Sequence, residues 1–226
     1  MALVFVGIVA RQALKHHASA RPGLVGINTA ARSGGWLLIR TLSLRIALIA
    51  TVVVATSLGT KELATWHIVF TIFSLLALAL DSLAIAGQAI IGHDLGTGDL
   101  EEVRKVTSVL IRWSFLAGGF LAVFMGLAAP ALPWMMTSDS QIRQALVWVL
   151  VLLAFTLPVS SYVFALDGIL IGAGDGKYLA VTGVLNLGMY APFLWLASTV
   201  EWVTSGVNLG GLLMLPVAFG FSYIGA

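Results

Sequence analysis

This 226-residue sequence has no cysteine and few charged residues. Without cysteine, it can form neither a disulfide framework nor a thiolate metal site. Charged residues make up 10% of the chain, against about 25% in soluble domains, so too few polar side chains exist to cover a water-soluble globule. Hydrophobic residues reach 59%, and the mean hydropathy is +1.01. This composition predicts an all-α polytopic membrane protein.

The modest positive charge does not indicate a nucleic-acid partner. The net charge is only +2, although the pI is near 9.2. The basic residues lie in short loops between apolar runs, which is the pattern that orients membrane helices. No serine–histidine–acid grouping or metal-spaced histidine pair is visible, so we expect neither an enzyme nor a bound cofactor. The lipid bilayer is the first partner that the sequence predicts.

Six apolar stretches are long enough to cross a hydrocarbon core of about 30 Å. They cover approximately residues 36–58, 62–92, 106–128, 142–172, 178–200 and 205–225. The apolar run at the start is too short to cross, so we interpret residues 1–14 as the end of a truncated transmembrane helix, or alternatively as an interfacial segment. Residues 15–35 are predicted to be a cytoplasmic linker or surface helix, and 36–226 a six-helix lobe.

Lysine and arginine are unequally distributed between alternating loops. This asymmetry predicts that the richer side is cytoplasmic and that the C-terminus lies on that side. The richer side holds Arg11, Lys15, Arg21, Arg32, Arg104, Lys105 and Lys177, and the other holds Lys61 and Arg143.

Two of the predicted spans carry a carboxylate within a polar stripe. On 62–92, a helical wheel gathers five polar side chains within about 100° of arc: His67, Thr71, Ser74, Asp81 and Gln88. On 142–172, Thr156, Ser160 and Asp167 form a similar stripe, and Pro158 is expected to kink the helix between them. Such stripes are expected to avoid lipid and to face protein or a wet cavity.

Two arginines, Arg45 and Arg112, lie at depths similar to those of Asp81 and Asp167, in the cytoplasmic half of the membrane. A carboxylate at the bilayer centre costs at least about 2.5 kcal/mol. Three explanations remain open: a static ion pair with arginine, a direct role in handling protons or substrate, or snorkelling of the acid to the interface.

Two Asp-containing runs, "ALDSLAIAGQAIIGHDLGTGD" and "FALDGILIGAGDGKYL", follow "LLIRTLSLRIALIA". Together they resemble the multidrug and toxic compound extrusion (MATE) family, most closely its DinF-type bacterial branch. The resemblance covers approximately residues 30–200. It implies that the six spans are helices seven to twelve, the C-terminal lobe, and that an N-terminal six-helix lobe is missing from this chain.

The resemblance implies a secondary active multidrug exporter of the bacterial inner membrane. Such proteins export amphipathic, often cationic compounds by alternating access, against inward flow of protons or sodium. Span 36–58 has no acidic residue, which departs from the sodium-coupled branch, so protons are favoured and sodium remains possible. Asp81 and Asp167 match family positions.

These expectations assign roles to individual side chains. Asp81, Gln88 and Ser74 are expected to line the cavity between the lobes, and His67 and Ser160 to belong to the same pathway. Asp167 and Arg112 are expected to pair on the cytoplasmic side, with Arg45 a further candidate for pairing. Two alternative functions are a lipid-linked oligosaccharide or polysaccharide flippase and a non-transporting membrane assembly subunit.

Overall fold

The computed structural model describes residues 24–199, 203–204 and 207–224, and within these it is almost entirely helical. The elements are α1 (Leu24–Leu58), α2 (Thr60–Thr97), α3 (Leu100–Ala128), α4 (Leu132–Met136), α5 (Ser140–Gly172), α6 (Gly176–Thr199), β1 (Val203–Thr204), β2 (Val207–Asn208) and α7 (Leu209–Ile224).

Five of these helices, α1, α2, α3, α5 and α6, are long and apolar enough to cross a membrane. They coincide with the first five predicted spans, so a multi-pass helical membrane protein is confirmed. The sixth differs from its prediction of 205–225. There α7 has 16 residues, which is about 24 Å, because β1 and β2 form a short antiparallel pair before it.

The predicted linker is only partly described. Residues 1–23, and with them the predicted helix end at 1–14, lie outside the described residues. From Leu24 onward the chain is helical without interruption into the first span. The stretch 24–35 therefore agrees with a helical continuation of α1 rather than with an irregular loop.

Helix α5 is the centre of the bundle. It packs chiefly against α2 and α3, whereas α1 packs against α6. In the most apolar window of α5, 50% of residues are buried, more than in the other four spanning helices. The outer faces remain apolar and exposed, as with Phe120 and Leu127. Such a surface matches lipid, because a soluble protein would not leave so much apolar area in water.

Glycine and aspartate set the turn between α2 and α3. Gly98 has φ 82°, in the left-handed region, and its N–H bonds to the carbonyls of Asp94 and Leu95. Glycine suits this position because it has no Cβ penalty there. Asp99 then caps α3 by accepting the N–H of Glu102 at 3.0 Å. These residues explain why one long helix ends and another begins within three residues.

Asp139 caps α5 in the same way, and its effect should depend on pH. It accepts the N–H groups of Gln141 and Ile142, and these bonds hold the pKa of its carboxyl below the ordinary 3.8. A lowered folded-state pKa stabilises above the unfolded pKa, and the contribution disappears as the pH falls through the folded value. We expect Asp139→Ala to lower the thermal midpoint at neutral pH and much less in strong acid, while Asp139→Asn retains most of the cap. An alanine effect that is the same at both pH values would contradict this.

Candidate functional site

A cavity of about 350 Å³ lies between α1, α2 and α5. Four of the side chains predicted from the two polar stripes line it: Ser74, Asp81 and Gln88 from α2, and Asp167 from α5. Arg40 of α1 is the fifth polar group in the lining. The two stripes therefore face one another, and the helices bring both acids to the same space.

Asp167 forms an ion pair with Arg40. The side chains are 17% and 20% exposed, respectively, so both members of the pair are largely buried. The expected pairing of Asp167 with Arg112 is not what the structure has. Arg112 is exposed on α3, whereas α3 packs on α5 through a different face that includes the buried Ser114 and Gly118. Residues two apart on a helix point about 200° away from each other, so Arg112 points away from α5.

Asp81 is the exposed acid of the cavity. It lies near enough to Asp167 to interact with it electrostatically. Within the described residues, no arginine or lysine forms an ion pair with Asp81. The cavity thus holds two carboxylates and one cation, and that cation is already paired with Asp167. An acidic group is left over for a proton or for a positively charged ligand.

Close contact between α2 and α5 places Asp81 and Asp167 in the same cavity. Gly168 and Gly172 face the backbone of Ala84 and Gln88, with no room for a Cβ at either glycine. Small residues four apart allow two membrane helices to touch backbone to backbone. Asp167 precedes the first of these glycines directly, and Asp81 lies one turn before Ala84. The glycine contact is therefore the element that positions the site.

The remaining predicted residues lie beside this cavity rather than in it. His67 and Arg45 line a neighbouring cavity of about 380 Å³, which shares Leu48 and Phe70 with the first. Ser160 is 6% exposed and lines a small gap between α2, α5 and α7. Roles for these three residues stay predictions.

The polar groups of α2 cannot jointly hold one metal ion. Ser74, Asp81 and Gln88 follow one another at steps of seven residues, which is about 10.5 Å along the axis for each step. Oxygen ligands of a single cation must lie within about 2–2.6 Å of it. In the part of the chain that the structure describes, no three His, Cys, Asp or Glu side chains are grouped as a metal site. Ser74, Asp81 and Gln88 therefore do not form one set of metal ligands.

Sequence reasoning missed three polar features. Arg40 lies one turn before Leu44 and two turns before Leu48 on the cavity side of α1, a spacing that could have identified it. Thr51 and Tyr190 share a buried hydrogen bond between α1 and α6. Glu62 is buried and accepts the N–H of Asn208 at 2.6 Å, which fixes β2 to the start of α2. No local pattern in the sequence predicts this last contact.

Comparison with known proteins identifies the family. The sequence profile described as MatE matches residues 37–196, which include α2, α3, α5 and the whole cavity lining. The chain belongs to the MatE family. Members of this family are transporters rather than enzymes.

Two curated relatives show how much of a MatE protein this chain represents. It is 26% identical over 192 residues to Protein DETOXIFICATION 45, chloroplastic, of Arabidopsis thaliana, covering 84% of this chain and 34% of that protein. It is 28% identical over 193 residues to DNA damage-inducible protein F of Escherichia coli strain K12, covering 78% of this chain and 41% of that protein. The chain thus spans well under half the length of these relatives.

The fold agrees with solved MATE structures. The Vibrio cholerae MATE transporter VcmN in its bent form superposes with a TM-score of 0.77 at 19% sequence identity, covering 98% of this chain and 52% of VcmN. At this identity the likeness establishes the fold of the MatE chain. It matches about half of the solved transporter.

Proposed function

We propose that this chain forms one lobe of a secondary active multidrug exporter, which moves amphipathic, often cationic compounds out of the cell by alternating access. The observation that carries the proposal is the cavity with one surplus carboxylate. Most of the remaining lining residues are apolar, and they include Phe70, Phe73 and Phe164. Aromatic faces attract organic cations, and a carboxylate in an apolar wall supplies the opposite charge.

The proposal requires a second, N-terminal six-helix lobe to close the cavity. Two facts support it: Asp81 is exposed in the cavity lining, and the chain spans 34% of the length of Protein DETOXIFICATION 45. An acid on an open face inside a membrane is costly unless protein or water covers it. We therefore expect the lobe to face a partner bundle across the cavity.

Asp81 is the proposed coupling group. A proton and a cationic substrate would compete for this one carboxylate, so release of the substrate on one side would accompany protonation. Coupling needs the affinity of Asp81 for a proton to differ between the two states of the transporter. Movement of the second lobe would change its exposure and so supply that difference. Protons are favoured over sodium because span 36–58 has no acidic residue that could join Asp81 in holding sodium.

Replacing Asp81 with asparagine tests the proposal. We expect at least about a tenfold loss in the rate of efflux of a cationic dye, together with loss of its dependence on pH. The measurement is dye efflux from cells or vesicles that carry the two-lobe transporter in which this chain is proposed to form one lobe. The pH and the sodium concentration are varied separately. If the efflux rate depended on sodium rather than on pH, sodium would be the coupling ion instead of the proton.

Asp175→Asn is the matched control. It removes the same charge from an exposed cytoplasmic turn, where Asp175 caps α6 by accepting the N–H of Tyr178, and asparagine caps equally well. Efflux should remain near the unsubstituted level. If Asp81→Asn transported as well as Asp175→Asn, with the same pH dependence, the coupling role would be refuted.

A flippase for lipid-linked sugars is a weaker proposal. Such a protein needs cations facing its cavity to hold a pyrophosphate. Arg40 lines the cavity but is engaged by Asp167, which leaves the surplus charge negative.

We further propose a bacterial inner-membrane location with the ends of α2 and α5, and the C-terminus, on the cytoplasmic side. The described loops support this orientation, because Arg104, Lys105 and Lys177 lie on one side while Lys61 and Arg143 lie on the other.

A further inference from the structure

The first half of α3 carries an exposed polar stripe that the cavity does not use. Glu101, Lys105, Ser108 and Arg112 fall within about 60° of helix arc, and all four are exposed. Beyond Arg112 the same face continues as Leu116, which is 65% exposed. The face therefore changes from charged to apolar along the helix, as a lipid molecule does from headgroup to acyl chain.

Arg112 lies within the membrane-spanning part of α3. The helix has 29 residues, or about 43 Å, and Arg112 lies about 18 Å from its first residue. A hydrocarbon core of about 30 Å leaves part of the charged first half outside. Helix side chains incline toward the helix N-terminus, so the guanidinium of Arg112 is directed back toward the headgroup layer at the Leu100 end. Trp113 beside it is 61% exposed, which marks this surface as lipid-facing.

Arg112 lacks an anionic partner within the described residues, since no ion pair there includes it. Lys105 contacts Glu101 at 3.4 Å and Glu102 at 3.5 Å, in exposed pairs that contribute little energy. Both glutamates lie about 15 Å nearer the water than Arg112, where the start of the helix favours negative charge. The hydroxyl of Ser108 donates to the carbonyl of Lys105, so its hydrogen is used within the helix.

We propose that Lys105 and Arg112 bind the phosphate of an anionic phospholipid from the leaflet around the Leu100 end of α3. Guanidinium groups bind phosphate oxygens in a bidentate manner, and lysine adds a second positive charge two turns nearer the water. One acyl chain lies along Leu116 and over Gly119, where a Cβ would meet nothing within 4 Å and the surface is open. The inference rests on the membrane-spanning fold and is independent of the transport mechanism.

Lipid retention measured by native mass spectrometry tests the site. The chain is purified in detergent with equal amounts of phosphatidylglycerol and phosphatidylcholine, which share acyl chains and differ in net charge. A Lys or Arg near an anionic surface contributes about fivefold in affinity. We therefore expect retained phosphatidylglycerol to exceed phosphatidylcholine by more than about fivefold, and Arg112→Gln to reduce this preference about fivefold.

Lys105→Gln is a second variant. Because Lys105 is exposed, this substitution should leave the fold intact, and it too should reduce the preference for phosphatidylglycerol. Lys177→Gln is the matched control, because it removes an exposed positive charge from the same side of the bundle but from α6; it should leave the preference unchanged. Excess inorganic phosphate should not displace the lipid. Equal retention of both lipids, an effect of Lys177→Gln equal to that of Arg112→Gln, or displacement by phosphate would overturn the proposal. Equal retention is also what a protein segment covering this face would give.

Discussion

Asp167→Asn is expected to destabilise the folded chain by about 3 kcal/mol. The substitution keeps the size of the side chain but leaves the charge of Arg40 without a partner in a site where both side chains are about four-fifths buried. Removing one member of a buried ion pair costs more than the pair contributes, because the remaining charge is uncompensated. The thermal midpoint in detergent, followed by circular dichroism, should fall by about 6–12 °C.

Two comparisons make this result specific. Asp81→Asn removes the same charge from the neighbouring stripe, but Asp81 is exposed and has no ion pair within the described residues, so its midpoint should change little. Combining Asp167→Asn with Arg40→Gln removes both charges and should recover much of the loss. If the double variant were no more stable than Asp167→Asn alone, the ion pair would not be the cause of the destabilisation.

The contrast between the two acids bears on what each contributes. The sequence left three explanations open for both carboxylates: a static pair, a role in proton or substrate handling, or snorkelling to the interface. The geometry assigns Asp167 to the first explanation, because Arg40 engages it. For Asp81 it leaves the carboxylate available, which is the condition for the proposed coupling role. A variant of Asp81 should therefore lose transport at nearly unchanged stability, whereas a variant of Asp167 should lose both.

Depth along a helix could be predicted from the sequence, and direction around it only in part. The rise of 1.5 Å per residue predicts similar levels for Asp167, Arg45 and Arg112, and these levels stay predictions. The polar stripe on α2 also identified the cavity face, because one face was polar and the others apolar. Level alone predicts Arg112 as the partner of Asp167, whereas the choice between Arg40, Arg45 and Arg112 depends on which helices are neighbours. That information lies in the packing of α1, α2 and α5, which single-helix patterns do not contain.

The span boundaries were predictable for a similar reason. Glycine and aspartate turns such as Gly98–Asp99 are local signals, so the ends of α2 and α3 follow from nearby residues. The shortened α7 was not predictable from its own residues. The pairing of β1 with β2 precedes it, and β2 is held by the contact between Glu62 and Asn208, which lie 146 positions apart in the sequence. Hydropathy alone extends the helix through that region.

The contact between α2 and α5 gives the second large expected effect. Gly168→Ala would place a Cβ 2.8 Å from the carbonyl carbon of Ala84 and 2.9 Å from its Cα. These are backbone atoms of a helix and cannot rotate away, so the two helices must separate. Overpacking of this kind typically costs about 1–3 kcal/mol. We expect a thermal midpoint lower by about 2–12 °C and a larger loss for Gly168→Val, since the required separation grows with the side chain.

Gly188→Ala is the control for Gly168→Ala, because a Cβ at Gly188 meets nothing within 4 Å. Alanine is favoured over glycine within a helix by about 1 kcal/mol, so this variant should be neutral or slightly stabilised. Gly168→Ala has the same intrinsic advantage, and a net loss there measures the steric cost of the contact. Separation of α2 from α5 also moves Asp81 away from Asp167, so dye efflux should fall together with stability. A Gly168→Ala protein as stable as Gly188→Ala would show that the helices do not touch at this point, and the cavity geometry on which the transport proposal depends would fail with it.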